Sequence, residues 1–187
     1  MESATVYFDK PGSDNTAVVF DIARKRAAEL GIKSVIVAST SGETGVKAVE
    51  AFKGLKTVVV SHAAGDGEPN VQWFKEDSRR TIISKGGTVV TMTPALSGIS
   101  KAMRKTFNTA IPGETIAATL QIFGAGMKVV CEIAVMAADS GEVNVGEEAI
   151  CIAGTGHGAD TAVVLSPANV GDFFNLKVKE ILCKPRL

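Results

Sequence analysis

The most informative segment of the chain is SVIVASTSGETGVKAVEAF, which spans Ser34–Phe52. Its first part, Ser34–Ala38, is a short run rich in β-branched apolar residues, which is typical of a parallel strand covered on both faces. Its last part, Val46–Phe52, places apolar side chains at helical spacing. Small and polar residues fill the interval Ser39–Gly45. The segment therefore predicts a buried strand, a tight turn and a helix.

The turn between this strand and helix has the composition of an anion-binding site. The first N–H groups of a helix have no intrahelical partner, and the helix dipole favours negative charge there. A glycine lets the backbone approach a ligand, and hydroxyl side chains add donors, so the turn is suited to phosphate. The alternative is an ordinary helix N-cap formed by Ser41. In the phosphate hypothesis the Glu43 carboxylate points away, and the binding residues are Ser39, Thr40, Ser41, Gly42, Glu43 and Thr44.

Composition limits the classes of function. The chain has 187 residues, of which 45% are apolar, and its formal net charge is zero. We therefore expect one domain over residues 1–187, without electrostatic support for binding nucleic acid or an anionic membrane. The sequence shows neither a membrane-span pattern nor a signal-peptide pattern, so we expect a cytoplasmic protein. No metal-ligand spacing is visible, and buried free thiols are expected at Cys131, Cys151 and Cys183.

Strand and helix patterns alternate through much of the remaining chain, which predicts a single α/β domain. His62 directly follows a predicted strand, so we expect it at the same sheet edge as the Ser39–Gly45 turn. Helices are predicted at Asn15–Leu30, Gln72–Ser84, Ser100–Thr106, Pro112–Phe123 and Met127–Ala138. Further strands are predicted at Ala4–Phe8, Lys56–Ser61, Thr88–Thr91, Glu148–Ala153 and Thr161–Leu165, with an edge strand over Phe173–Cys183.

Two other glycine-rich stretches are candidates for contact with a ligand. Gly154–Ala159 matches the pattern G-x-G-x-x-A, but a dinucleotide fingerprint must open a helix, and here a strand resumes. It is either a loop whose backbone approaches a ligand or an ordinary glycine-rich hairpin. Gly124–Lys128 opens a helix, so Gly126, Met127 and Lys128 could meet a ligand. The alternative for that stretch is a tight junction between helices.

Taken together, these stretches resemble the C-terminal α/β domain of pyruvate kinase, in which an equivalent Thr/Ser-Gly turn cradles a phosphate of the allosteric sugar bisphosphate. The likeness covers about residues 15–93 and 148–165, and the absence of the kinase barrel means that kinase activity is not implied. The chain is also similar, over nearly its whole length, to an uncharacterised family of free-standing archaeal and bacterial proteins built on this domain. That resemblance implies flavin mononucleotide (FMN) as the ligand. It rests on Ser39–Gly45, Gly124–Lys128, Gly154–Ala162, Pro167–Asn169, Leu176–Ile181 and Lys184–Arg186.

The resemblance also implies a three-layer α/β/α fold with an open, mostly parallel sheet. Counting from the Ser34–Ala38 strand, the implied strand order is 3-2-1-4-5, with added strands. The order then reverses between Ser34–Ala38 and Glu148–Ala153, and ligands of open α/β sheets bind outside the carboxyl ends of the strands at such a reversal. This arrangement places the Ser39–Gly45 and Gly154–Gly158 turns on opposite sides of one crevice.

The leading hypothesis is therefore a protein that binds a phosphorylated small molecule, with FMN as the first candidate. One alternative is a flavin-dependent oxidoreductase, with His62, His157 and Lys128 as proton donors near the ring; another is a non-enzymatic sensor of a sugar phosphate or nucleotide. No catalytic residue is assigned, and the apolar middle helices leave room for a homo-oligomer. The flavin ring is expected near His62, Thr93, Gly126, Met127, Lys128, Gly154, Thr155, Gly156 and His157.

Overall fold

A seven-stranded sheet forms the middle layer in the computed structural model, which describes residues 3–186. The predicted domain also includes Met1, Glu2 and Leu187, which lie outside the described residues. The strand order across the sheet is β1-β7-β6-β5-β2-β3-β4. The strands are β1 (Val6–Phe8), β2 (Ser34–Ala38), β3 (Lys56–His62), β4 (Thr88–Met92), β5 (Ala149–Ala153), β6 (Thr161–Ser166) and β7 (Lys177–Pro185).

The centre of the sheet is β2, which pairs in parallel with both β3 and β5. Ile36 is in register with Val58 on one side and with Cys151 on the other. Beyond β3 the sheet continues with parallel β4, and beyond β5 it continues with antiparallel β6. The predicted order 3-2-1-4-5 is confirmed, and β7 and β1 are the added strands. The order reverses between β2 and β5, which opens a crevice at their carboxyl ends.

The prediction of an edge strand over Phe173–Cys183 is wrong. Val170–Asn175 forms a short 3-10 helix, and β7 lies inside the sheet between β6 and β1. The edge strand on this side of the sheet is β1, which pairs with the last three residues of β7, Cys183–Pro185. The first residues of β7 are exposed, and its later residues are largely buried. The partner of β7 comes from the opposite end of the chain, so local pattern could not reveal it.

Helices cover both faces of the sheet. On one face lie α1 (Thr16–Leu30), α2 (Glu43–Ala51) and α3 (Glu76–Ser84), and on the other α6 (Ala125–Asp139) packs against the central strands. α5 (Pro112–Gln121) packs on α6, and α4 (Gly98–Phe107) packs on α5. The helix predicted to start at Gln72 begins later, at Glu76. The Gln72 side chain accepts a hydrogen bond from the Phe74 N–H over 2.8 Å and donates one to the His62 carbonyl over 3.1 Å, which holds this segment in an irregular conformation.

The core divides at the sheet, as the two-residue period of a strand requires. Ile36 faces the α6 side, whereas Val35 and Val37 face α1 and α2. The three cysteines are buried free thiols, as predicted. Burial raises the pKa of Cys131 to about 11 and that of Cys183 to about 12, so both remain neutral thiols near neutral pH. Among residues 3–186, no helix is long and apolar enough to cross a membrane.

Candidate functional site

A cavity of about 500 Å³ opens at the carboxyl ends of β2 and β3. Its walls come from the start of α2, the loop after β5 and one face of α6. These elements meet at the crevice that the strand-order reversal creates. A cavity of this size lies within the range of typical small-molecule sites.

Most of the residues predicted to bind a ligand lie on the wall of this cavity. The structure therefore brings the β2–α2 turn and the loop after β5 to one site, although their sequence separation exceeds one hundred residues. Off the wall lie Gly42, Thr93, Gly126, Met127 and Thr155. On the wall lie Ser39, Thr40, Ser41, Glu43, Thr44, His62, Lys128, Gly154, Gly156 and His157.

The β2–α2 turn is organised by Ser39, which is only 6% exposed. Its Oγ accepts hydrogen bonds from the N–H groups of Gly42 over 3.1 Å and Gly45 over 3.2 Å. Ser41, the expected cap in the ordinary-cap alternative, accepts only a long 3.4 Å bond from the Glu43 N–H. Within the described residues, the amide N–H groups of Thr40, Ser41 and Thr44 have no hydrogen-bond partner. The turn therefore keeps unpaired backbone donors on residues that line the cavity.

Gly42 is required by packing of the turn against α3. Its φ of +93° is unfavourable for any other residue, and a Cβ there would lie 2.4 Å from Ser78 Cβ. The same added atom would lie 3.0 Å from the ring of Phe74. The Gly42 amide is also occupied by Ser39. Close approach of a ligand is therefore not needed to explain this glycine.

A lysine compensates the acidic residue at the start of α2. Lys75 donates a hydrogen bond to Glu43 over 2.6 Å, and its backbone N–H donates to the Ser41 carbonyl over 3.1 Å. The hydrogen bond from Lys75 holds the pKa of the Glu43 carboxyl below its ordinary value, with smaller contributions from the charges of Lys47 and His157. Glu43 is therefore ionised and paired near neutral pH. Glu43 and His157 both line the cavity, so the two sides of the crevice face each other.

The two histidines reach the cavity from different strands. His62 ends β3, and its Nδ1 lies 3.1 Å from Asp66 Oδ2. That contact is close but not directed along a hydrogen bond, so the buried Nδ1 atom has no hydrogen-bond partner within residues 3–186. His157 is exposed on the loop after β5. The site thus contains two imidazoles, one partly buried at the end of β3 and one exposed on the opposite loop.

The loop after β5 is fixed by hydrogen bonds to Asp160, a fully buried carboxylate. Its Oδ2 accepts from the N–H groups of Gly12 over 2.9 Å and Thr155 over 3.0 Å, and its Oδ1 accepts from the Thr161 hydroxyl over 2.8 Å. Gly158 has φ +72°, and a Cβ there would lie 2.5 Å from Ser13 Cα. The loop is therefore tied to the segment before α1. Of this loop, the residues on the cavity wall are Gly154, Gly156, His157 and Gly158.

The stretch Gly124–Lys128 mainly joins α6 to the sheet. A Cβ on Gly126 would lie 2.1 Å from Thr161 Oγ1, and Met127 is 5% exposed in the core beneath α6. Of the three predicted residues in this stretch, Lys128 is the one that lines the cavity. The packing explanation therefore accounts for Gly126 and Met127.

Glu132, the acidic partner of Lys128 inside the cavity, was not predicted from the sequence. Lys128 donates a hydrogen bond to Glu132, which is 4% exposed. The pair lies one helical turn apart on α6, where a lone acid among apolar residues was a visible but unused signal. Trp73 and Lys75 were also missed, because they were predicted to lie in a helix that begins only at Glu76. The apolar part of the wall includes Val60, Val129, Ile133 and Met136.

No group of three or more metal-ligating side chains is positioned to hold an ion within the described part of the chain.

Comparisons with known proteins return distant structural neighbours. No protein-family model matches the chain. A pyruvate kinase from Cryptosporidium parvum aligns with a TM-score of 0.41 and 12% identity, over 85% of this chain and 24% of the kinase. An O-ureido-L-serine synthase variant with O-ureido-L-serine bound aligns with a TM-score of 0.32 and 18% identity, over 71% of this chain and 49% of the synthase. This chain thus spans about a quarter of the kinase and half of the synthase, and these alignments are too distant to transfer a function.

Proposed function

We propose that this chain binds a phosphorylated small molecule, with FMN as the leading candidate, in the cavity at the start of α2. One observation carries the proposal. The N–H groups of Thr40, Ser41 and Thr44 are unpaired within residues 3–186, and all three residues line a cavity of about 500 Å³. Unpaired amides at a helix start favour an anionic group.

The phosphate end of the ligand would lie at the β2–α2 turn. The amides and hydroxyls of Thr40, Ser41 and Thr44 supply donors, and the Lys75 ammonium adds further N–H donors on the same wall. The hydrogen bond between Lys75 and Glu43 neutralises the carboxylate that would otherwise repel phosphate. Ser39 and Gly42 shape the turn rather than bind, because their groups are already occupied.

The ring end would lie along α6. Val129, Ile133 and Met136 give this wall an apolar surface, which suits a flat aromatic ring system. Trp73 contributes a half-exposed aromatic side chain to the same cavity. The residues present therefore fit FMN at both its ends. When bound, a flavin supplies electron-transfer chemistry, and the chain's own residues orient it and restrict access of water.

The first test is the visible absorption spectrum of the freshly purified protein, followed by mass analysis of what boiling releases. Bound flavin bands with FMN in the released fraction would support the proposal. For a protein purified without ligand, the affinities for FMN and for riboflavin, which lacks the phosphate, are measured by fluorescence quenching. We expect FMN to bind more tightly, because the β2–α2 turn then contributes its donors.

Lys75→Ala tests the phosphate end, with Lys85→Ala as a matched control. Both lysines flank α3 and donate to a glutamate of α2, Lys75 to Glu43 and Lys85 to Glu50, but only Lys75 lines the cavity. We expect Lys75→Ala to weaken the affinity for FMN by about tenfold and to leave the affinity for riboflavin unchanged. Equal effects of the two variants would contradict the assigned phosphate position. If neither flavin binds and a sugar bisphosphate or nucleotide raises the unfolding temperature, that compound replaces FMN as the proposed ligand.

A further inference from the structure

We propose that Lys128 and Glu132 form a second polar subsite of the cavity, where Lys128 donates to the acceptor-rich edge of the ligand's ring and Glu132 holds Lys128 in place. Lys128 is the binding residue of this subsite, and Glu132 is a positioning residue. The inference rests on the proposed function, since it assigns the end of the ligand opposite the phosphate.

Glu132 is fixed from two directions. Its Oε1 accepts a hydrogen bond from the Leu96 N–H over 3.0 Å, and its Oε2 accepts from Lys128. With only 4% of the residue exposed, neither oxygen has bulk solvent as an alternative partner. The carboxylate therefore connects α6 to the segment after β4 and sets the direction of the Lys128 side chain.

Lys128 retains donors for a ligand. Its side chain is 17% exposed, it lines the cavity, and within residues 3–186 its Nζ hydrogen-bonds only to Glu132. A lysine ammonium has three N–H donors, so two remain. A largely buried ammonium with unused donors on a cavity wall is expected to meet an acceptor on whatever fills the cavity.

Packing alone does not explain the salt bridge between Lys128 and Glu132. Its neighbours on the cavity wall, Val129, Ile133 and Met136, are apolar, and an apolar pair of similar size would continue that surface. Removing charges from water is costly, and apolar replacements of buried ion pairs are often neutral or stabilising. A charged pair that interrupts an apolar wall and opens onto a cavity is therefore typical of a binding site.

The chemistry of the pair selects the kind of group that it can bind. A fixed ammonium in an apolar wall takes a carbonyl oxygen or a ring nitrogen that carries partial negative charge. The pyrimidinedione edge of a flavin has such acceptors. The adjacent buried carboxylate disfavours a second fully charged anion, because part of the ammonium charge is already compensated.

The double variant Lys128→Met with Glu132→Gln tests the subsite without leaving an unpaired buried charge. Its new glutamine can still accept from the Leu96 N–H, and thermal unfolding confirms that the variant is folded. The dissociation constants of FMN and riboflavin are measured for this variant and for the unmodified protein. We expect the dissociation constants of both ligands to rise by the same factor, about tenfold, because a hydrogen bond from a charged donor is lost at the ring. The ratio of the two constants stays unchanged.

Glu132→Gln alone tests positioning. Lys128 is then present but less firmly held, so we expect a smaller loss for both flavins and a bound-flavin absorption maximum between those of the unmodified protein and the double variant. A purely structural role for Glu132 would leave that maximum unchanged.

Each other outcome overturns a specific statement. Unchanged affinity for both flavins in a folded double variant would refute the assignment of Lys128 and Glu132 to a ring subsite, without contradicting the proposed function. A weaker affinity for FMN with an unchanged affinity for riboflavin would mean that Lys128 contacts the phosphate instead of the ring. Failure of the unmodified protein to bind either flavin would overturn FMN as the ligand, and the ring subsite with it.

Discussion

Replacement of Asp160 by alanine should release the loop after β5 and destabilise the whole domain. The carboxylate is fully buried and accepts three hydrogen bonds, from the N–H groups of Gly12 and Thr155 and from the Thr161 hydroxyl. These bonds join the segment before α1, the cavity loop and the start of β6. Alanine removes both acceptor oxygens, and with them all three hydrogen bonds.

The expected cost follows from those bonds. Hydrogen bonds to a charged group contribute about 1.5–3 kcal/mol each, and an orphaned buried donor costs a similar amount. The Thr161 hydroxyl can turn to another acceptor, while water can reach the partly exposed Gly12 and Thr155 amides. We therefore expect Asp160→Ala to lower the free energy of unfolding by about 3 kcal/mol, less than the sum of three full losses.

Asparagine is the matched variant, because its geometry can preserve the two amide bonds. Both amides donate to the same oxygen, Oδ2, so the asparagine carbonyl can occupy that position. The asparagine NH₂ then faces the Thr161 hydroxyl, which can accept from it. Only the charge is lost, and we expect Asp160→Asn to cost about 1 kcal/mol.

Urea unfolding at neutral pH measures both free energies, and amide hydrogen exchange reports on the loop directly. The Thr155 N–H should exchange faster in Asp160→Ala and should keep most of its protection in Asp160→Asn. Equal stability of the two variants, or unchanged Thr155 exchange in the alanine variant, would refute the assigned role of the carboxylate.

Two further predictions concern packing and pH. Gly126→Ala should lower the free energy of unfolding by about 1–3 kcal/mol, because its Cβ would lie 2.1 Å from Thr161 Oγ1. Gly171→Ala is the control, because nothing lies within 4 Å of its added Cβ. Equal urea midpoints for the two variants would contradict the packing explanation. Glu180→Gln should destabilise the protein near neutral pH but converge with the unmodified protein in acid. Its hydrogen bonds with Arg26, of 2.8 and 2.7 Å, hold the pKa of the Glu180 carboxyl below its ordinary value of 4.5. A carboxyl whose folded-state pKa is lowered adds stability above its unfolded-state pKa, and that stability disappears as the pH falls through the folded-state pKa. Unfolding measured from pH 7 to pH 3 checks this, and a difference that stays constant over that range would count against it.

The candidate site was predictable where its residues lie in one continuous pattern. The β2–α2 turn is such a case, since a strand run, a small-residue turn and a helix period follow one another. Lys128 and Glu132 illustrate the limit. Their spacing on one helix is visible in the sequence, but whether they face water, core or cavity depends on which side of α6 the sheet covers.

Glycines show the same limit more sharply. Gly42 and Gly126 were predicted to face a ligand, and the structure places Ser78 and Thr161 against them instead. Either explanation requires the same residue, because both demand space that a side chain would fill. Distinguishing them requires knowledge of the neighbour, and in both cases the neighbour is remote in sequence.

By itself, the sequence determined the local elements of this protein, the alternation that specifies an α/β sheet, and the small polar turn at the start of α2. These depend on side-chain periodicity and backbone preferences over a few residues. Tertiary structure alone decided that β1 pairs with the end of β7, that Asp160 ties the cavity loop to the segment before α1, and that an ion pair on α6 lines the cavity. The reason is physical: such contacts join segments distant along the chain, and they form only when burial of the two sheet faces brings those segments together.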